Sequence, residues 1–344
     1  MLKARFFYSF IICVVIYWLV ALKLEILESL NIQKPIRNIA NKSTPAELRQ
    51  NSNTSNAEYN EKLSCPTGPA IAVVYDGYMN FGNQLWSYAV AWALSKSLNR
   101  PAFASKIILD KMKLIFPNLS LLPLEDFNHC KLKNFKALNS SLIKMGENLT
   151  EQFKNENLRV PVKAVIPELL LPLLEEIREK EFKFHNSVMY KMRETIRLVG
   201  GHSRVIVAVH VRRKHYDQYL YVMYRKLPAH SSYYLDAMDW YQKYISKGKL
   251  LFLIVSDDVA WCRKNKLDER EDVISVSQDE GHDLALLSMA DHNIIDYGAF
   301  GMWGGLVTKG STVTLLNSYY NGIMAKYKDW HMLDESTYMK RAQL

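Results

Sequence analysis

The sequence predicts an α/β protein built on parallel sheets, and three observations carry that expectation. The first is the run at residues 205–213, VIVAVHVRR, a β-branched stretch that follows Gly200-Gly201 and ends in His210, Arg212 and Arg213. Continuous apolar runs of this length read as strands covered on both faces. The second is the pattern after it: a Tyr-rich loop through Tyr224, helical periodicity over residues 231–245 and apolar runs at 250–255 and 273–276. A helix then opens at His282-Asp283 and runs to 289, followed by a short strand at 293–296, a Gly-rich turn and helix over 298–307, and a last strand at 313–316. Short strands alternating with helices wind a sheet that carries helices on both faces. The third lies earlier, where AIAVVY at residues 70–75 leads through a loop into Leu85, Tyr88, Ala89, Trp92 and Ala93 at helical spacing. Strand, Gly-containing loop and helix in that order make a βα unit.

Taken from the start, residues 6–22 form an uncharged segment, FFYSFIICVVIYWLVAL, flanked by Lys3 and Arg5 before it and Lys23 after it. Its 17 residues are at the short end of a membrane span, and no small-residue cleavage site follows. The expectation is an uncleaved signal anchor, with residues 1–5 as a cytoplasmic tail and the bulk of the chain luminal by the positive-inside bias. Residues 23–68 are expected to be a luminal stem, because NKSTPAELRQNSNTSNAEYNEK carries almost no apolar periodicity. Five N-x-S/T triplets, at Asn41, Asn53, Asn118, Asn139 and Asn148, agree with a secretory lumen and are candidate glycosylation sites. Of the four cysteines, Cys13 falls in the apolar segment, so Cys65, Cys130 and Cys262 allow at most one internal disulfide.

Composition limits the rest. At 344 residues and 49% hydrophobic content the chain forms one large or two medium domains, expected here at 69–200 and 201–344. A net charge of +9 fits an anionic substrate or a membrane surface. Nucleic acid is not expected, because the basic residues are dispersed and no aromatic-interleaved basic motif appears. Between residues 106 and 182 the pattern is less legible; a helix is expected from 168 to 192, with the Lys/Glu run at 175–183 as its solvated face.

Site candidates gather at predicted strand ends. Ligands of open α/β sheets sit outside the carboxyl ends of strands, which puts His210, Arg212 and Arg213 where a site is expected. Strand alternation sends His210 and Arg212 to one face and Arg213 to the other. Guanidinium forks match phosphate oxygens, so an anion is implied. The start of the helix at Gly298-Ala299-Phe300-Gly301 offers backbone N–H groups to a diphosphate. Asp258 and Asp283 are acceptors for a ribose or purine edge, although an acid pair such as Asp257-Asp258 equally caps the next helix. No metal ligand set is legible in the cysteine spacing.

Four blocks in this order resemble one family: Phe81-Gly82-Asn83-Gln84-Leu85-Trp86-Ser87-Tyr88-Ala89; His210-Val211-Arg212-Arg213; Ser256-Asp257-Asp258 with Trp261-Cys262; and Asp283-Leu284-Ala285-Leu286-Leu287-Ser288 running through Asp291-His292-Asn293-Ile294-Ile295 to residues 298–304. Together they are similar to the galactoside α1,2-fucosyltransferases, most of all the invertebrate branch, over residues 71–316. The resemblance implies a GT-B-like fold of two Rossmann-like halves with parallel sheets, behind the transmembrane helix and stem. It also implies GDP-fucose as donor, inversion at the fucose carbon, a β-galactoside-containing glycan as acceptor, no cofactor or required metal, and a single-pass type II place in the Golgi membrane.

Carried over by position, Arg212 resembles the arginine that binds the donor diphosphate, supported by His210 and Arg213. Gly298, Ala299, Phe300 and Gly301 would contact the phosphates, Asp258, His282 and Asp283 would line the nucleotide pocket, and Gly82, Asn83 and Gln84 would approach from the other half. Two positions depart from the family's pattern. Its His-x-Arg-Arg-Gly-Asp reads His210-Val211-Arg212-Arg213-Lys214-His215 here, and Ala299 stands in its Gly-Thr-Phe turn. Asp217 is the acid nearest beyond the arginines, and the general base is left open among His215, Asp217 and Asp76. The alternatives are another inverting GDP-fucose-dependent transferase, of different linkage or with a protein acceptor, and a catalytically silent luminal protein that binds a glycan or nucleotide sugar.

Overall fold

Two all-parallel sheets organise the computed structural model, one in each half of the chain. It describes residues 65–341 apart from positions 67, 76, 78, 125–134, 139–142, 144–148, 154, 162–163, 246–247, 316–323 and 327–328. The expected anchor, the expected stem up to residue 64, Cys13, Cys130, Asn41, Asn53, Asn139, Asn148 and Asp76 lie outside the described residues. No helix among the described residues is long and apolar enough to cross a membrane.

The first sheet holds β1 (Ile71–Val73), β2 (Ala102–Ser105), β3 (Leu122–Leu124), β4 (Lys136–Ala137) and β5 (Leu158–Val160), in the order β3-β2-β1-β5-β4. β1 is its centre, and all three of its residues are buried. The Phe81–Leu98 helix follows β1 as the apolar spacing predicts. It starts at Asn80, whose side chain accepts the Asn83 N–H, and ends at Asn99 in the left-handed region at φ 49°. Fifteen of its eighteen residues are buried, so it packs on every side and forms the axis of this half.

The second sheet holds β6 (Val205–Val211), β7 (Leu250–Ser256), β8 (Val273–Ser275), β9 (His292–Ile295), β10 (Thr312–Leu315) and β11 (Trp330–Leu333). Its order is β11-β10-β9-β6-β7-β8: the chain winds outward from β6 through β7 and β8, then returns to β9 on the other side. Between β6 and β9 the connections leave in opposite directions and open a crevice, the place where doubly wound sheets take ligands. Val207, Val209 and Val211 pack on one face with Tyr233, Tyr234 and Tyr241 of the Ser231–Tyr244 helix. Ile206 and Ala208 pack on the other with Val188 and Met192 and with the Glu280–Met289 helix. A seven-residue strand covered on both faces explains why β6 reads as an apolar run up to His210.

Two sequence expectations change. The single helix expected at 168–192 is broken into Pro167–Leu170, a 3-10 turn Leu171–Leu173 and Leu174–Lys180, with a separate helix Asn186–Leu198. Pro172 cannot donate within a helix, and Glu181 leaves the surface altogether, accepting the Tyr88 hydroxyl and the Ser120 N–H and hydroxyl in the core. The Tyr-rich segment after Arg213, expected as a loop, is a helix at Tyr216–Tyr224. Strands β2, β3, β4, β5 and β11 were not among the expected elements; each has four residues or fewer. Cys65 is disulfide-bonded, and Cys262 is a free, buried thiol pushed up to about 11 by burial.

Candidate active site

The crevice is assembled from the ends of β6, β7 and β9 and from the helix that follows β9. Gly298 turns the chain into that helix, Ala299–Val307, at φ 97° and ψ 156°, a conformation that glycine alone adopts without strain. No side chain caps the helix, and the first four N–H groups of any helix lack partners within it. The start therefore carries the positive end of the helix dipole into the crevice.

His210 meets this helix start directly, and Arg212 is linked to it through Tyr216. The His210 ring lies 5.4 Å from the Phe300 ring. A Cβ built on Gly301 would come 2.7 Å from His210 Nδ1, so glycine at 301 is what lets the imidazole lie on the helix. Arg212 is one-third exposed, pairs with the Asp257 carboxylate and stands over the Tyr216 ring at 5.6 Å. The hydroxyl of Tyr216 in turn closes on Gly298, 3.6 Å from a Cβ built there.

Arg213 goes elsewhere, as alternation along β6 requires. Its guanidinium is buried on the opposite face, donating to the Ala229 carbonyl and lying 3.4 Å over the Trp261 ring. One arginine of the pair stays partly exposed between Asp257 and Tyr216, and the other is a packing element of the β6–β7 layer.

Two carboxylates that sequence reasoning did not single out as site residues hold this turn. Asp296, at the end of β9, accepts the Arg212 N–H at 2.9 Å and the Tyr234 hydroxyl at 2.6 Å. Its side chain is fully buried, and its other oxygen lies 3.4 Å from His210 Nδ1; neither of those two atoms has a hydrogen-bond partner. Asp257, at the end of β7, accepts the Arg213 N–H at 2.7 Å. Strands on either side of β6 thus each send one carboxylate to the first free N–H groups beyond it. The signal available in the sequence was position alone: each acid directly follows an apolar strand.

The other candidates divide. Asp258 caps the Val259–Lys264 helix through the Trp261 N–H, which is the capping alternative. The Glu280–Met289 helix begins two residues earlier than expected, capped by Asp279, and His282 Nδ1 sits 2.6 Å from that carboxylate. Asp283 accepts the Gln278 N–H at 2.9 Å; burial pushes its carboxyl up to about 6, against the opposing pull of that hydrogen bond and of His210. His215 and Asp217 are exposed, and Asp217 turns back to the Gln218 N–H.

The first half reaches the crevice through the start of its long helix. Gly82 lies against Ala299 and Phe300, Trp86 donates to the Ala299 carbonyl at 2.9 Å, and Trp86 packs edge-on to Trp303 at 5.2 Å. Asn83 and Gln84 are buried beside them, with Gln84 donating to the Met79 carbonyl. Among the described residues, no group of three or more His, Cys, Asp or Glu side chains is placed to hold a metal ion.

These features sit in segments shared with known proteins. The chain is 30% identical over 243 residues to galactoside 2-alpha-L-fucosyltransferase SEC1 of Bos taurus, a match covering 69% of this chain and 64% of that protein, just under two thirds of its length. It is 28% identical over 243 residues to galactoside alpha-(1,2)-fucosyltransferase 2 of Hylobates lar, covering 69% of each. Among solved structures it is similar to the fucosyltransferase NodZ from Bradyrhizobium, at 14% identity and a TM-score of 0.47, over 71% of this chain and 94% of that one. The sequence pattern of glycosyl transferase family 11 matches residues 74–340, a span that holds both sheets except β1 and takes in every crevice residue described above. By that match the chain belongs to glycosyl transferase family 11.

Proposed function

We propose that this chain is an inverting, GT-B-type glycosyltransferase that moves L-fucose from GDP-fucose to the 2-hydroxyl of a terminal β-galactoside, acting in the Golgi lumen from a single-pass type II anchor. The observation that carries the reading is that, in a family 11 chain, His210 lies on the uncapped Ala299–Val307 helix start while Arg212, just beyond the same strand, stands over Tyr216, whose hydroxyl closes on Gly298. Relatives named as galactoside 2-alpha-L-fucosyltransferases support the substrate class.

In such a transfer the acceptor oxygen attacks the fucose C1 from the face opposite the diphosphate. The bond from C1 to the phosphate oxygen breaks, its electron pair stays on GDP, and the acceptor's proton leaves to a base. Negative charge grows on the leaving group, so fixed cations and N–H dipoles strengthen their hold as the bond lengthens. A guanidinium offers a planar fork of donors to phosphate oxygens, and the helix start adds N–H groups to it. In this reading His210 steadies the helix start beside the phosphates, Asp283 and the Ser256–Asp258 loop border the nucleotide, and Gly82 and Asn83 approach from the first half. In this reading Arg212 and the helix start supply the positive charge, and no metal or cofactor is expected.

Fucose transfer from GDP-fucose to a panel of β-galactosides, run on the full-length protein with and without chelator, tests this. Chelator-resistant product carrying fucose on the galactose 2-hydroxyl is expected. Transfer only to another hydroxyl or to a protein would replace the acceptor assignment, and GDP-fucose binding without turnover would favour a silent binding protein.

A further inference from the structure

The residue that faces Arg212 directly is Asp257, and nothing in the resemblance gives it a task. Its carboxylate is shared between two neighbours: one oxygen accepts the Arg213 backbone N–H at 2.7 Å, and the other pairs with Arg212 Nη1. The bond to the backbone matters, because it ties the carboxylate to the same turn that carries the arginine. Asp257 itself follows Ser256, the last residue of β7, which pairs in register with Val211 at the end of β6. A strut of two strands thus fixes where the carboxylate stands.

Arg212 is held from two sides. Asp257 takes one of its terminal nitrogens, and the Tyr216 ring lies 5.6 Å from its central carbon. A guanidinium has five N–H donors in a planar fork, so one bond to Asp257 leaves donors along its other edges for a second anion. A long side chain one-third exposed loses rotamer entropy when it is ordered. Fixing it before the ligand arrives removes that cost from binding.

We infer that Asp257 is a positioning residue that aims Arg212 at the diphosphate of the nucleotide sugar. The inference rests on the donor reading given above and adds a residue to it. A carboxylate beside a cation can also act the other way, competing with the diphosphate for the same guanidinium. The two roles differ in sign: a competitor's removal tightens anion binding, whereas a positioner's removal loosens it.

GDP and guanosine binding to the full-length protein separate these outcomes, GDP by titration calorimetry and guanosine by competition against it. Asp257→Ala is expected to weaken GDP about tenfold while leaving guanosine within about twofold, because guanosine has no phosphate for Arg212 to meet. In an Arg212→Ala background the Asp257→Ala change is expected to cost almost nothing further for GDP, the signature of two residues acting through one contact. Asp257→Asn, which keeps an acceptor for the Arg213 N–H, shows the same selectivity with a smaller loss and serves if the alanine variant folds poorly. Equal losses for GDP and guanosine, unchanged GDP affinity in a folded variant, or tighter GDP binding would each overturn the inference. A wild-type protein that binds no GDP would overturn the donor reading itself, an outcome visible before any Asp257 variant is made.

Discussion

Gly82 and Phe300 are in backbone contact: a Cβ on Gly82 would stand 2.5 Å from the Phe300 nitrogen and 2.8 Å from its Cα. Neither atom belongs to a side chain that can swing aside. The Phe81–Leu98 and Ala299–Val307 helices, one from each half of the fold, approach this closely only because position 82 lacks a side chain. Trp86 and Trp303 fill the next turn of the same contact.

Gly82→Ala is therefore expected to force the two helices apart and destabilise the protein by about 1–3 kcal/mol. Thermal unfolding should register it as a lower Tm. Since the displaced helix start is the one that faces the crevice, GDP affinity is expected to fall with it. A variant of unchanged Tm and affinity would mean that the helices accommodate the methyl group.

The two arginines at the end of β6 should behave differently when each becomes lysine. Lysine at 212 keeps the charge but loses the fork, so fucose transfer is expected to drop on the order of a hundredfold, about 3 kcal/mol, with little change in Tm. Lysine at 213 gives up the stacking on Trp261 and puts a compact ammonium in a buried slot. Its expected effect is a lower Tm, by several degrees, with residual activity tracking the folded fraction. Activity assays paired with melting curves on both variants distinguish the roles.

Much of this geometry was legible beforehand, and the reasons are physical. β6 and β7 are covered on both faces, so their sequences are apolar as far as His210 and Ser256; alternation along β6 alone sent Arg213 away from His210. Gly298 and the helix after it were visible as punctuation followed by periodicity. What could not be read was anything that depends on register between strands. Asp296 and Asp257 meet the β6 turn because β9 and β7 flank β6, and strand order is a long-range fact that no local pattern encodes. The Tyr216–Tyr224 helix was hidden for another reason: its tyrosines do not fall into one apolar stripe, and Tyr221 and Val222 are exposed.

Asp296 is expected to be costly to remove. Asp296→Ala leaves the Arg212 N–H and the Tyr234 hydroxyl without their acceptor in a buried place, a penalty of about 2–5 kcal/mol for the two groups. Asp296→Asn keeps an acceptor oxygen and should recover part of that stability. Urea unfolding of both variants gives the comparison, and equal midpoints for alanine and wild type would show that the turn is held by other contacts.

Asp283 carries a pH dependence whose sign is fixed by burial. Its carboxyl is raised from an ordinary value of 3.8 to about 6 in the folded protein, chiefly by burial. Between those values the native state holds a proton that the unfolded chain has released. Stability from this group is thus full below about pH 4 and is lost as pH rises through 6, by roughly 3 kcal/mol. Asp283→Asn keeps the acceptor for the Gln278 N–H and cannot ionise, so it should flatten this part of the profile and make the protein more stable than wild type at pH 7. If Asp283 serves the nucleotide, the gain will come with weaker GDP binding, the usual exchange of stability for function at a site. Urea midpoints of wild type and Asp283→Asn from pH 4 to 8 check the first claim: curves that stay parallel across that range would mean that Asp283 titrates alike in the folded and unfolded chains.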